Sequence, residues 1–170
     1  IAYADDIVSH CVTLGSVPPG TLTIESDLPL GKGMGASTAL VIAMTRCLLG
    51  EDCRAEALAI EDAINPGHSG LDFAVIWENR PLVFRKGEEP EPAVLTDDVL
   101  QGAFLADTGA PNETTAELVA WIRGRADDPE IAAALETIGQ CTERLINGEE
   151  MADVIRDHHR AQVALGVVPP

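Results

Sequence analysis

One segment constrains the fold more than any other. It is the glycine-rich run Leu30-Gly31-Lys32-Gly33-Met34-Gly35-Ala36, set between an alternating stretch and an apolar, helix-forming one. Glycines let the backbone turn sharply and bring its N–H groups close to a bound group. Before the run, Thr21-Leu22-Thr23-Ile24-Glu25 has the period of a half-buried strand. After it, Ser37 and Thr38 can cap a helix running to about Leu49. Strand, glycine loop and Ser-capped helix make an anion-binding arrangement, because a helix start adds about half a positive charge to its free amides. Ser37 offers a hydroxyl to Mg²⁺ held by phosphates, since Mg²⁺ prefers oxygen ligands. Lys32 lies inside the run, and Lys86 is the only other lysine. The run is not a Walker A loop, lacking G-K-[ST], nor a Rossmann fingerprint, lacking G-x-G-x-x-G. Taken alone, it could equally be a flexible turn.

A second loop carries carboxylates. Asn65-Pro66-Gly67-His68-Ser69-Gly70-Leu71-Asp72 follows a helix expected over about Cys53 to Ile64. Glu61 lies eleven positions before Asp72, at the end of that helix. One carboxylate could hold Mg²⁺ while the other accepts a proton from an attacking alcohol. Spacing leaves open that Glu61 sits on a solvated face beside Asp62 and that Asp72 caps a helix.

The remaining elements follow from periodicity. Ile7, Val8, Cys11 and Leu14 place an amphipathic helix over 3–14, broken by Ser16-Val17-Pro18-Pro19-Gly20. Pro81 to Arg85 reads as a strand. Gly87-Glu88-Glu89-Pro90-Glu91-Pro92 is solvated and marks a boundary between residues 1–90 and 91–170. Ala103-Phe104-Leu105-Ala106 reads as a buried strand. A helix is expected over about Glu113 to Arg125 with Leu118, Val119 and Ile122 inward. Asp128 and Pro129 start another, running to about Asn147, and a third runs from near Glu149 to Gly166. Strands first and helices later indicate the α+β class.

Composition narrows the partners. The 170 residues are 46% hydrophobic and 23% charged, which excludes a disordered tail. Lys plus Arg number 11 against 28 Asp plus Glu, a formal charge of −17 that repels nucleic acid and anionic lipid. No signal peptide is visible over Ile1 to Leu14, and the longest apolar run, Ala39 to Met44, is too short for a bilayer. Cys11, Cys47, Cys53 and Cys141 show no C-x-x-C spacing, and His10, His68, His158 and His159 complete no zinc signature. Free thiols in a reducing cytoplasm are the expectation.

Pro29 to Ala39 resembles the phosphate-binding motif of the GHMP kinases, P-x-G-x-G-[LM]-G-S-S-x-A. Glu61, then Ser69-Gly70-Leu71-Asp72, then Leu82-Val83-Phe84 resemble the helix Glu, S-G-[IVL]-D loop and L-x-F strand of mevalonate kinases. Ala106-Asp107-Thr108-Gly109-Ala110-Pro111 with Thr114-Thr115 and Glu117-Leu118-Val119 is similar to that family's acceptor-lining strand, loop and helix. His158-His159 with Ala164-Leu165-Gly166-Val167 is similar to a late helix of the same enzymes. The matches run in order from about residue 20 to residue 167.

The resemblance implies an ATP-dependent small-molecule kinase, with mevalonate converted to 5-phosphomevalonate as the leading reaction. Phosphomevalonate, another GHMP-type acceptor, or a non-catalytic relative retaining the loop are the alternatives. It implies that Gly31, Lys32, Gly33, Met34, Gly35, Ala36, Ser37 and Thr38 hold the ATP phosphates and that Ser37 and Glu61 ligate Mg²⁺. Asp72 would orient and deprotonate the acceptor hydroxyl, with Ser69 and Thr114 near the acceptor. It further implies a two-lobed α+β fold, incomplete at both ends, because the family's N-terminal lysine hairpin and C-terminal glycine motif have no counterpart here. The partner would be a small-molecule substrate, and a homodimer is one assembly open to it. Departures lie at Ala36, where the family has Ser, at Asn65 to His68, at Glu78-Asn79, and at Asn112, where the family has Arg. The scarcity of basic residues near Asn112 favours a less charged acceptor.

Overall fold

The computed structural model describes residues 2–27, 32–95, 101–104, 106 and 114–169, with the side chains of Thr115 and Ala116 set aside. Two units emerge, Ile1–Pro92 and Ala93–Pro170.

In the first unit, apolar residues at helical spacing form α1, Ala2–Leu14, and bury Ile7 and Cys11. The segment 21–27 that follows is not a strand, contrary to its alternation. Alternation makes a half-buried surface, but a strand also needs a ladder of backbone partners. Among the described residues none pairs with this segment. Leu22 nevertheless packs on the core, while Ile24 is largely exposed.

Helix α2, Ala36–Leu49, is the spine of this unit and packs against α1, α3 (Arg54–Ile64) and α4 (Leu71–Glu78). Val41 and Met44 join Ile7, Cys11 and Ile60 in one apolar cluster. Ile42 turns the other way and joins Ala57 and Phe73 in a second. One helix thereby anchors two faces, and its neighbours are fixed relative to it. Phe73 stacks on Trp77 one turn later, at 5.8 Å between ring centroids, and Arg46 of α2 covers Trp77 at 4.1 Å.

The expected strand near Pro81 forms as β1, Leu82–Val83, paired antiparallel with β2, Glu91–Pro92. Leu82 faces Pro92 and Val83 faces Glu91. The acidic stretch 87–92 therefore folds back as the return limb of a hairpin. A proline is tolerated there because each strand of a two-stranded sheet has a free edge.

The second unit is built from α5 (Thr115–Arg123), α6 (Pro129–Ile146) and α7 (Met151–Leu165). Ile131 and Ala134 of α6 pack on Ala161 and Leu165 of α7, with Ile122 and Ile138 alongside. Trp121 donates its indole N–H to the Leu165 carbonyl at 3.3 Å. The strand expected at 103–106 is not formed at its described residues, and Phe104 is 96% exposed. Val119 is 39% exposed, so the inward face of α5 narrows to Leu118 and Ile122. The molecule is mostly helical with one small sheet among the described residues, which is α+β in the coarse sense.

Helix starts in this unit are locally encoded. Asp128 accepts from the Glu130 amide at 3.0 Å, with Pro129 at the first helical position. Thr114 and Glu117 form a reciprocal capping box at the start of α5. Hydrogen bonds from the Thr114 amide and then its hydroxyl hold Glu117 below the usual carboxylate range. Arg125 and then the Glu130 amide do the same for Asp128, and Arg144 does so for Glu149. Carboxyls depressed in the folded state stabilise it above their unfolded values, and the contribution is lost as pH falls through the lowered ones. Helical circular dichroism should therefore decline on acidification below about pH 4. A Glu117→Gln, Asp128→Asn, Glu149→Gln triple variant should start less stable and change less with pH.

No helix among the described residues is long and apolar enough to cross a membrane. Cys11, Cys53 and Cys141 are buried free thiols and Cys47 is an exposed one. Burial raises the Cys11 and Cys53 thiols above their ordinary values.

Candidate functional site

The two loops singled out in the sequence meet in the first unit. Helix α2 does not begin on a serine or threonine cap. Gly35 holds the cap position in the left-handed region at φ 67°, with no side-chain cap bond, and Ser37 and Thr38 lie inside the first turn. That conformation suits glycine because it has no Cβ to clash. Helix α4 starts the same way on Gly70 at φ 90°. Asp72 is thus in the first turn of α4 rather than its cap, and Ser69 accepts from the Leu71 amide at 3.2 Å.

Gly35 packs directly against this helix. A Cβ built there would lie 3.1 Å from Ile76 Cδ1 and 3.6 Å from Asp72 Cγ. The missing side chain is what lets the glycine loop come up against the carboxylate. Asp72 itself is exposed, so a solute can reach it.

Glu61 is tied to the same helix start through Thr38. It is 2% exposed, which removes the solvated-face alternative. Thr38 Oγ1 donates to Glu61 Oε1 at 2.8 Å, joining α2 to α3. Glu61 Oε2 is buried and has no hydrogen-bond partner. An acceptor left so is costly and calls for a donor or a cation. Thr38→Val would strip the other oxygen as well. We expect it to lower stability by about 1–3 kcal/mol in chemical denaturation, whereas Thr38→Ser, which keeps the hydroxyl, should avoid most of that loss.

A tyrosine completes this corner. The Asn65 side chain, at the C-terminal end of α3, donates to the Tyr3 hydroxyl of α1 at 2.9 Å. The Asn65 amide caps the Glu61 carbonyl at 2.8 Å. Burial raises the Tyr3 phenol above its ordinary value, hydrogen bonds from Asn65 and Ser37 oppose the rise, and the charge of Glu61 adds to it. Sequence reasoning gave Tyr3 no role. It lies 62 positions from Asn65, and no local pattern announces a contact of that range.

The carboxylate loop is braced from outside. His68 Nε2 is 2.7 Å from Asp62 Oδ1, and Lys86 donates to the His68 carbonyl at 3.2 Å. The Phe84 ring lies 3.4 Å from where a Gly70 Cβ would be, so the hairpin holds this turn close.

The other expected site residues fall as follows. Lys32, Gly33, Met34 and Ser37 are exposed around the turn into α2, Ala36 is half-buried and opens the helix, and Ser69 is exposed. Gly31 and residues 107–113 of the third motif lie outside the described residues. Thr114 belongs to the second unit, where its hydroxyl serves the α5 capping box at 2.7 Å from Glu117 Oε2. A cavity of about 450 Å³ runs along α2, lined by Leu22, Ile24, Ala36, Ala39, Leu40 and Met44 among others. Among the described residues no three His, Cys, Asp or Glu side chains converge for a metal. Oxygen donors with an orphaned Glu61 Oε2 still suit a hard cation that takes its remaining ligands from a phosphate and water.

Residues 3–76 match the family model described as GHMP kinases N terminal domain. The match runs from α1 into α4 and takes in the glycine run, Glu61 and Asp72. It supports the GHMP kinase superfamily, whose members are kinases that use ATP and typically Mg²⁺. Searches of curated proteins and of solved structures returned no match.

Proposed function

We propose that this protein is an ATP-dependent kinase for a small alcohol, with mevalonate as the acceptor and 5-phosphomevalonate as the product. The observation that carries the reading is the juxtaposition of Gly35 with Asp72 at the start of α2, the helix whose Thr38 bonds a buried Glu61 with a partnerless second oxygen. Phosphoryl transfer asks a protein mainly for positioning and charge neutralisation. Backbone amides of Gly33 to Thr38 and the start of α2 would receive the ATP phosphates. Ser37 and Glu61 would hold Mg²⁺, which supplies charge neutralisation at those phosphates. Asp72 would accept the hydroxyl proton of the acceptor alcohol as the alcohol oxygen bonds to the γ-phosphorus of ATP and the bond from that phosphorus to the departing ADP breaks.

The sequence resemblance extends this to a two-lobed enzyme with Ser69 and Thr114 on the acceptor side. For Thr114, that role requires its hydroxyl to leave the α5 cap. We place the reaction in the cytoplasm, where the free thiols would stay reduced.

The test is to give the full chain ATP, Mg²⁺ and mevalonate and to follow ADP release and the phosphorylated product by mass. Formation of 5-phosphomevalonate is the expected result. Turnover of phosphomevalonate or another alcohol instead would replace the acceptor. Calorimetry showing no ATP·Mg²⁺ binding would remove the kinase reading.

A further inference from the structure

Tyr3 belongs to neither loop, yet its phenol oxygen ties α1 to the end of α3. It accepts from Asn65 at the end of α3 at 2.9 Å, and Ser37 in the first turn of α2 is near enough to act on its charge. Asn65 also caps the carbonyl of Glu61, and Glu61 in turn accepts from Thr38, the neighbour of Ser37. The ring is partly buried, packed against the core shared by α1, α2 and α3. Glu61 and the first turn of α2 are therefore joined to Tyr3 by one continuous set of hydrogen bonds through Asn65 and Thr38.

Resting on the proposed kinase reading, we propose that Tyr3 is a positioning residue: its phenol, held by Asn65, fixes the end of α3 so that Glu61 presents its second oxygen to Mg²⁺ beside the first turn of α2. The hydroxyl is the essential part, because the ring's packing would survive in phenylalanine. Tyr3 does not touch the reacting atoms in this account, and its effect is on the metal rather than on the acceptor.

Tyr3→Phe deletes the hydroxyl and leaves the ring. At saturating ATP, the Mg²⁺ concentration for half-maximal activity should rise about 2- to 10-fold, the loss of one hydrogen bond. The acceptor KM should stay near wild type, and the melting temperature should fall only by the few degrees that one part-buried hydrogen bond is worth. Asn65→Ala should give the same Mg²⁺ shift, and the double variant should add little to either single change. Tyr3 is the chain's only tyrosine. Adding ATP·Mg²⁺ to wild type should therefore give a tyrosine difference spectrum assignable to one residue, readable even where a variant fails to fold. A Tyr3→Phe protein with unchanged Mg²⁺ dependence, or a wild-type tyrosine spectrum blind to ATP·Mg²⁺ that binds, would overturn the inference alone. Wild type that binds no ATP·Mg²⁺ would overturn the kinase reading and the inference with it.

Discussion

Asp72→Asn is expected to slow phosphoryl transfer by about 10²- to 10⁴-fold, the range associated with losing a positioned proton acceptor. The asparagine keeps the size of the side chain and its place in the first turn of α4. It also keeps the contact with Gly35, so the glycine loop has no reason to move. ATP·Mg²⁺ affinity by calorimetry should accordingly change by less than about threefold, since uniform binding and chemistry are separable. Single-turnover rates are the decisive measurement. Turnover at the wild-type rate would take Asp72 out of its role.

The second large effect should come from a single methyl group. Gly33 and Gly35 both have positive φ, 69° and 67°. Alanine at either incurs the left-handed penalty of roughly 1–2 kcal/mol. Their surroundings differ. Nothing lies within 4 Å of a Cβ at Gly33, whereas at Gly35 it meets Ile76 and Asp72. Gly33→Ala should therefore lose stability and some ATP affinity through the backbone strain, with kcat at saturating ATP little changed. Gly35→Ala should push the loop and the carboxylate apart. A shift approaching an ångström at a reacting pair can cost about 10²-fold in kcat. Comparing kcat and denaturation midpoints for the two variants isolates the contact from the backbone strain. Equal activity in both would mean that the Gly35–Asp72 approach has no functional weight.

Much of the helical framework was legible because its signals are local. Asp128-Pro129 marks the start of α6 and Gly166 follows the end of α7, and both hold. The Cys53–Ile64 reading matches α3 to within a residue. The strands were harder to read. The alternation of Thr21 to Glu25 describes a surface, and only a partner makes it a strand. At Leu82 that partner came from the acidic stretch, whose charge masked its pairing. In the candidate site, the glycine run and the Glu61-to-Asp72 interval name segments that the fold brings together at Gly35 and Asp72 and at Thr38 and Glu61. What lay beyond the sequence was how they join. The glycine motif suggests Thr38 as a phosphate contact, whereas its bond to Glu61 crosses 23 positions. The burial of Glu61 was also hidden, since an acidic residue beside Asp62 in so acidic a chain reads as solvated.

The helix starts divide the molecule into parts of different self-sufficiency. Thr114 and Asp128 close the first amides of their own helices, so α5 and α6 carry their terminal hydrogen bonds with them. Gly35 gives α2 no such closure. Under the proposed function, a phosphate-bearing guest becomes the missing terminal residue of that helix in all but covalent connection. Its occupancy then enters the folding equilibrium directly. At a hundredfold excess over Kd such a guest adds roughly 2.7 kcal/mol to the folded state. The melting curve of this protein would then serve as a ligand assay, ranking nucleotides and phosphates without any knowledge of the acceptor.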